Sequence, residues 1–179
     1  MSALAWRQWL NIGLLGLAGG LLLMVLLDSG PQLPPEVSAL LNLTPTQINR
    51  IVAVRLNQEP LVFERRADGW WMIARMAGLA NPVLLDPILR LPGARCPLSY
   101  SADGIDLAAL QLDPPQLRLW LEDREIRFGT TAPTDGQRYL QIGRVVYLCP
   151  DAIYPLLTSA AESFIAPSIE TLLKTGRQR

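Results

Sequence analysis

The residues of this chain that could do chemistry are carboxylates, two cysteines and a few tryptophans, because the sequence contains no histidine. The absence of histidine removes the usual imidazole acid–base group, the base of a Ser-His-Asp triad and a common metal ligand. Paired carboxylates could act in acid–base chemistry or bind a hard cation. Most aspartates of the second half, however, stand beside Gly, Pro or the start of a helical stretch, where aspartate favours turns and caps. These are Asp103, Asp106, Asp113, Asp123, Asp135 and Asp151. We therefore predict a non-enzymatic protein with no catalytic residues, no metal site and no cofactor.

The two cysteines are Cys96 and Cys149, and each precedes a proline. They are far apart in sequence, and a metal site made of two cysteines without histidine would be incomplete. In an oxidising compartment an even pair indicates a disulfide, whereas two reduced thiols would act as small apolar residues. The membrane topology derived below favours an oxidising compartment, so we predict a Cys96–Cys149 disulfide.

Trp70 and Trp71 are neighbours that could contact a ligand or a partner protein, for example by stacking on a sugar. Adjacent side chains of a β-strand point to opposite faces of the sheet. We therefore expect one ring in the core and the other exposed or beneath a helix. A purely structural role for both rings is the alternative.

These residues follow an apolar segment from Leu10 to Leu27, which has Arg7 before it and Asp28 after it. About twenty uncharged residues are enough for an α-helix to cross a bilayer. The positive charge on the N-terminal side predicts a cytoplasmic N-terminus. A cleaved signal peptide is the alternative, but Leu27 or Asp28 would then stand where a small residue is required. We predict an uncleaved anchor.

Three glycines, Gly13, Gly16 and Gly20, lie on nearly the same face of this predicted membrane helix. Small residues allow another helix to approach closely, so we predict that this face packs against a partner helix. The alternative is the general abundance of glycine in membrane helices.

The balance of charges limits the possible partners, because Lys plus Arg and Asp plus Glu both number 16. A nucleic-acid-binding surface requires a face rich in Lys and Arg, and the sequence shows none. We expect no nucleic-acid partner.

The pattern of strands and breakers predicts an α+β fold, with an N-terminal transmembrane helix followed by an antiparallel-sheet domain. Alternation at residues 117–121 and the Asp68-Gly69 turn indicate strands and hairpins. Proline-led helices are expected from Asn81 through Leu91 and from Ala152 to about Phe164. Two related β-meander-plus-helix units are expected at about 50–92 and 116–165. The predicted organisation is a cytoplasmic N-terminus 1–9, a transmembrane helix 10–27, a Pro-rich spacer 28–43 and an extracytoplasmic domain 44–175.

Several short motifs occur in a characteristic order between about Ile51 and Phe164. They are Gly69-Trp70-Trp71-Met72-Ile73, Leu110-Gln111-Leu112-Asp113-Pro114-Pro115, Ile126-Arg127-Phe128-Gly129, Arg138-Tyr139-Leu140 and Val145-Val146-Tyr147-Leu148. In this order they resemble the bacterial envelope domain called domain of unknown function 4340. The resemblance implies an N-terminal membrane helix and, as for some members, an association with ABC-type transport systems, including those of gliding motility. It implies no catalytic or ligand residues. The chain departs from the family in its short length and single pair of repeats.

Together these observations predict a non-enzymatic accessory or scaffolding subunit of a bacterial inner-membrane complex. Its partners would be the membrane and integral membrane subunits, and we do not expect a small-molecule ligand. Its N-terminus would be cytoplasmic and its C-terminal domain periplasmic. The alternative is a periplasmic binding module for a glycan or another envelope ligand.

Overall fold

One antiparallel sheet of nine strands dominates the described part of the chain. The structure is a computed structural model that describes residues 3–28, 39–74, 76–133 and 135–167. The strands are β1 (Arg50–Arg55), β2 (Leu61–Arg66), β3 (Gly69–Met72), β4 (Gly78–Leu79), β5 (Leu98–Ser101), β6 (Leu117–Leu121), β7 (Arg124–Thr131), β8 (Arg138–Ile142) and β9 (Val145–Cys149). Their order across the sheet is β4-β3-β2-β1-β6-β7-β8-β9-β5. The predicted α+β fold with an antiparallel sheet is confirmed.

Two meanders, β1 to β4 and β6 to β9, meet at the antiparallel pair of β1 and β6. In this pair Ile51 lies opposite Leu121, and on its other side Ile51 lies opposite Phe63 of β2. Strand β5 comes from the connection between the meanders and pairs with β9 at one end of the sheet. The proposed relationship between the two halves stays a prediction.

The core lies on one face of the sheet, where alternate residues of the strands are buried. Ile51, Leu119 and Ile126 are fully buried positions of this face. Helix α2 (Pro82–Arg90) contributes Leu85, Ile88 and Leu89 to the same core. The Asn81 side chain accepts a hydrogen bond from the backbone N–H of Val83 at 3.1 Å, and Pro82 occupies the first turn. The helix predicted here is confirmed.

The helix predicted from Ala152 to about Phe164 is wrong in its extent. It is replaced by a short helix α3 (Tyr154–Leu157) and a 3₁₀ helix (Ala161–Phe164). Between them, the hydroxyl of Thr158 donates to the Tyr154 carbonyl and that of Ser159 donates to the Leu156 carbonyl. Serine and threonine hydroxyls compete in this way with helix propagation. The sequence also indicates a helix-like piece from Ser168 to Lys174, and these residues lie outside the described ranges.

The chain divides into two units, residues 1–36 and 37–179. The second unit begins before the predicted Thr44, because Leu40 is buried and its N–H donates to the Ala94 carbonyl at 3.0 Å. The rest of the predicted spacer, residues 29–38, lies outside the described residues.

The first unit contains one helix, α1 (Ala3–Asp28), over the predicted transmembrane segment. Its side chains are described from Ile12 to Met24, and they are exposed. Among the residues that the structure fully describes, no helix is long and apolar enough to cross a membrane. The transmembrane span therefore stays a prediction.

Candidate functional site

The Cys96–Cys149 disulfide is formed, with the two Cα atoms 4.6 Å apart. Both residues are buried in the core cluster, and the bond joins the segment before β5 to the end of β9. The residues are 53 positions apart, and closing a loop of this length removes entropy from the unfolded chain, which raises its free energy by about 4 kcal/mol at room temperature. The predicted pairing is confirmed.

The two neighbouring tryptophans lie on opposite faces of β3. Trp70 packs against the core, on the same face as the buried Met72, whereas Trp71 points to the other face. Both rings are half-buried, and the Nε1–H of Trp71 donates to Asp68 at 2.9 Å. The two rings thus lie on opposite faces, as expected, and Trp70 packs against the core, but Trp71 is half-buried and not fully exposed.

An arginine lies over each of these rings, in a cation–π arrangement. The guanidinium carbon of Arg65 is 5.0 Å from the centroid of Trp70, and that of Arg66 is 5.0 Å from the centroid of Trp71. The side chain of Arg65 also donates to the carbonyls of Pro45 and Ile48. One face of each indole is therefore in contact with a cation, which leaves less aromatic surface for a stacked sugar.

The sheet face opposite the core is here called the outer face. Its central positions on β1, β2 and β6 are half-buried or exposed, and they are Val52, Val54, Val62, Glu64, Arg118 and Trp120. Val52 lies between Val62 and Trp120 in the strand register, and Val54 remains 40% exposed. A short apolar row thus crosses the middle of this face.

Charged side chains of both signs border the apolar row. Arg50 lies 3.9 Å from Glu64, and Glu125 lies 3.7 Å from Arg118 and 3.2 Å from Arg127. Exposed pairs of this kind contribute little to stability. An apolar centre surrounded by mixed charge has the composition of a protein-contact surface.

Residues 102–116 cover the outer face on the side of the second meander, where they fold over β7. The N–H of Thr130 donates to the Leu110 carbonyl at 2.9 Å, and Leu112 is fully buried. A Cβ atom at Gly129 would overlap the Leu110 carbonyl oxygen. Val146 and Leu148 of β9, which point to this face, are also buried. The part of the outer face that the described residues leave uncovered is thus centred on β1, β2 and β6.

A buried arginine, Arg138 of β8, joins β7, the loop before β6 and the segment around α3, a role that no local sequence pattern predicted. Its Nε and Nη2 donate to the two carboxylate oxygens of Asp151, both at 2.9 Å. Its Nη1 donates to Gln116 at 3.0 Å and to the Gly129 carbonyl. The guanidinium carbon also lies 3.6 Å from the ring centroid of Tyr154. Because these contacts occupy the guanidinium, we assign Arg138 a structural role.

A second buried arginine, Arg55, lines a cavity of about 340 Å³ beside the β1–β2 turn. Its terminal nitrogens donate to the carbonyls of Ser159 and Glu59, each at 2.9 Å. Burial lowers the pKa of the Arg55 guanidinium, and the negative charge of Glu162 acts in the opposite direction. The two terminal nitrogens fasten the β1–β2 turn to the segment that follows α3. The buried Nε has no hydrogen-bond partner among the described residues.

The aspartates noted in the sequence lie in turns and caps or in ion pairs. Asp106 accepts from the N–H groups of Ala108 and Ala109, and Asp135 accepts from that of Gln137. Within the described ranges, no cluster of three or more His, Cys, Asp or Glu residues could hold a metal ion. The structure therefore supports the interpretation of these carboxylates as turn and cap residues.

The three glycines of α1 are exposed within their own unit. A Cβ atom at Gly13, Gly16 or Gly20 would meet no atom within 4 Å among the described residues. The predicted packing of a partner helix on this face stays a prediction.

No protein-family model matches this chain, and no curated protein or solved structure matches it. The resemblance to domain of unknown function 4340 therefore stays a prediction. The fold and the surfaces described above define a disulfide-bonded α+β domain with one partly uncovered sheet face.

Proposed function

We propose that this chain is a non-enzymatic accessory or scaffolding subunit of a bacterial inner-membrane complex, with the domain of residues 37–179 in the periplasm. The Cys96–Cys149 disulfide is the observation that carries this proposal. Disulfides persist in oxidising compartments and are rare in the cytosol. A periplasmic domain fits the positive charge before the apolar segment, which favours a cytoplasmic N-terminus.

The apolar segment Leu10–Leu27 supports membrane anchoring, since it lies within a single helix, α1. As a helix, this apolar segment measures roughly 27 Å at 1.5 Å per residue, close to the hydrocarbon core of about 30 Å. The glycine face of α1 would then contact an integral membrane subunit. By the family resemblance, an ABC-type transport system is the first complex to examine.

The uncovered outer face supports the role of a contact subunit. Its apolar row of Val62, Val52 and Trp120, together with Trp71, offers aromatic and aliphatic side chains in a setting of mixed charge. Aromatic residues are enriched in protein interfaces and often account for much of their binding energy. We assign partner docking to this face.

Purification of the tagged full-length chain in mild detergent tests the proposal. The wild type should retain a defined set of membrane proteins, and Val54→Glu should lose them because it places a negative charge on the exposed part of the outer face, two residues from Val52 of the apolar row. Val83→Glu is the matched control, since Val83 is an exposed valine of α2, an element of the core side. A chain that elutes alone, or whose partners are unaffected by Val54→Glu, would contradict docking at the outer face. If the isolated chain also binds glycans, the binding-module alternative replaces the scaffold.

A further inference from the structure

The two edge strands of the sheet, β4 and β5, differ in whether another segment of the chain lies alongside them. At one end, β4 is flanked by the segment that follows the last 3₁₀ helix, because Ile165 bridges Ala80 and the N–H of Ala166 donates to the Leu79 carbonyl. At the other end, β5 pairs with β9 on one side. Across the ranges that the structure describes, no strand or bridge pairs with its other side.

The hydrogen-bond pattern of the β5–β9 ladder shows which backbone groups point outward. Just beyond β5, the N–H of Ala102 donates to the Arg144 carbonyl at 2.8 Å. In an antiparallel pair, hydrogen-bonded and non-hydrogen-bonded residues alternate. The backbone N–H and C=O groups of Leu98 and Tyr100 therefore point towards β9. Those of Ser99 and Ser101 point to the open edge.

Strand β5 carries none of the charged or proline residues that usually protect an open edge. Its sequence is Leu-Ser-Tyr-Ser, and all of its residues are exposed. Leu98 and Tyr100 are 46% and 47% exposed, and both point to the outer face, like Leu148 and Val146 opposite them. The edge thus combines free backbone groups with two large side chains able to pack against an added strand.

We propose that the occupant of this edge is β5 of a second copy of the same chain. A two-fold axis through Tyr100 would place Ser99 of each copy opposite Ser101 of the other. This register pairs every outward N–H and C=O group of β5, and it brings the two Tyr100 side chains together on one face. No charged residue of β5 is placed against a like charge, because the strand contains none.

The pairing is weak unless the two copies are held together. A strand of four residues covers much less than the roughly 1,200 Å² of a stable protein interface. Confinement of both chains to one membrane raises their effective concentration and compensates for the small area. For its strength, this inference therefore rests on the proposed membrane anchor.

Cysteine cross-linking of the full-length chain in bacterial membranes tests the register. In the proposed pair, the two Tyr100 Cα atoms lie about 4.5 Å apart, within disulfide range. The two Leu98 Cα atoms lie roughly 13 Å apart, four residues along the strands. Tyr100→Cys should give at least about ten times more covalent dimer than Leu98→Cys on a non-reducing gel, since only the former is within bonding distance. Equal dimer from both variants, or none from Tyr100→Cys, would overturn the proposal.

A proline substitution provides a second test that does not disturb the β5–β9 ladder. Ser99→Pro removes an outward N–H, whereas the groups that bond β9 belong to Leu98 and Tyr100. In the Tyr100→Cys background it should lower the dimer yield roughly tenfold, because both copies lose a hydrogen bond and leave a carbonyl unpaired. Ser99→Ala is the matched control and should leave the yield unchanged. An equal yield from Ser99→Pro would overturn edge pairing.

Fractionation of the same cells separates this inference from the proposed function. A membrane-bound chain without a Tyr100→Cys dimer contradicts edge pairing alone. A dimer formed by chain in the soluble fraction supports edge pairing and contradicts the anchor. A soluble chain without dimer contradicts both.

Discussion

The ion pair of Arg138 and Asp151 should be the most sensitive polar contact of the domain. Their side chains are only 9% and 18% exposed, and two parallel hydrogen bonds of 2.9 Å join them. Removing one partner of a buried pair leaves an uncompensated charge and costs about 3–5 kcal/mol. Asp151→Ala should fall at the lower end, about 3 kcal/mol, since Arg138 keeps its contacts with Gln116, Gly129 and Tyr154.

The chain contains a matched control for this prediction in the exposed pair of Asp123 and Arg124. These side chains are 80% and 60% exposed, and their charged atoms are 3.6 Å apart. Double-mutant measurements of exposed pairs give about 0.2–1 kcal/mol, so Asp123→Ala should cost less than about 0.5 kcal/mol. The two variants make the same chemical change and differ in burial.

Urea unfolding of the detergent-solubilised chain, followed by tryptophan fluorescence, provides the measurement. The midpoint should fall strongly for Asp151→Ala with little change in the slope, since the surface exposed on unfolding is nearly the same. Arg138→Leu combined with Asp151→Leu should recover part of the loss, because no buried charge is left unpaired. If Asp151→Ala and Asp123→Ala lower stability equally, the reasoning about burial is refuted.

The remaining predictions concern packing and the disulfide, each measured by the same unfolding assay. Gly129→Ala should lower stability by about 1–3 kcal/mol, because its methyl group overlaps a backbone carbonyl; Gly93→Ala, which meets no atom within 4 Å, is its control, and equal effects would contradict the close approach. Replacing Cys96 and Cys149 together with serine should cost about 2–5 kcal/mol, and an unchanged midpoint would show that the bond contributes nothing. Phe164→Ala should cost about 3–5 kcal/mol, because this ring is fully buried and its centroid lies 5.4 Å from that of Phe63. A loss below about 1 kcal/mol would place the ring outside the core.

Local patterns in the sequence were sufficient to predict most of the sheet. The alternation of residues 117–121 corresponds to β6, whose Leu117, Leu119 and Leu121 are buried. The Asp68-Gly69 turn joins β2 and β3 as expected, and Gly69 has a φ of 133°, a region that favours glycine. The disulfide followed from two cysteines and the expected compartment.

Features that depend on distant contacts could not be predicted in the same way. The partners of Arg138 come from β7, from the loop before β6 and from the segment around α3, so no local pattern brings them together. The pairing of β5 with β9 is also remote in sequence, and it determines which edge of the sheet remains open. The early end of the C-terminal helix is a different case, because the hydroxyls of Thr158 and Ser159 donate to carbonyls only four and three residues earlier. This competition with the helix is local, and the residue types alone could have indicated it.

The most direct test of the proposed periplasmic location is the redox state of the two cysteines in living cells. Bacteria that produce the full-length chain are quenched with acid, and free thiols are then alkylated with a reagent that adds mass, before or after reduction. A periplasmic domain predicts that Cys96 and Cys149 resist alkylation until a reductant is added. Free thiols at both positions before reduction would contradict a periplasmic location and, with it, the proposed function.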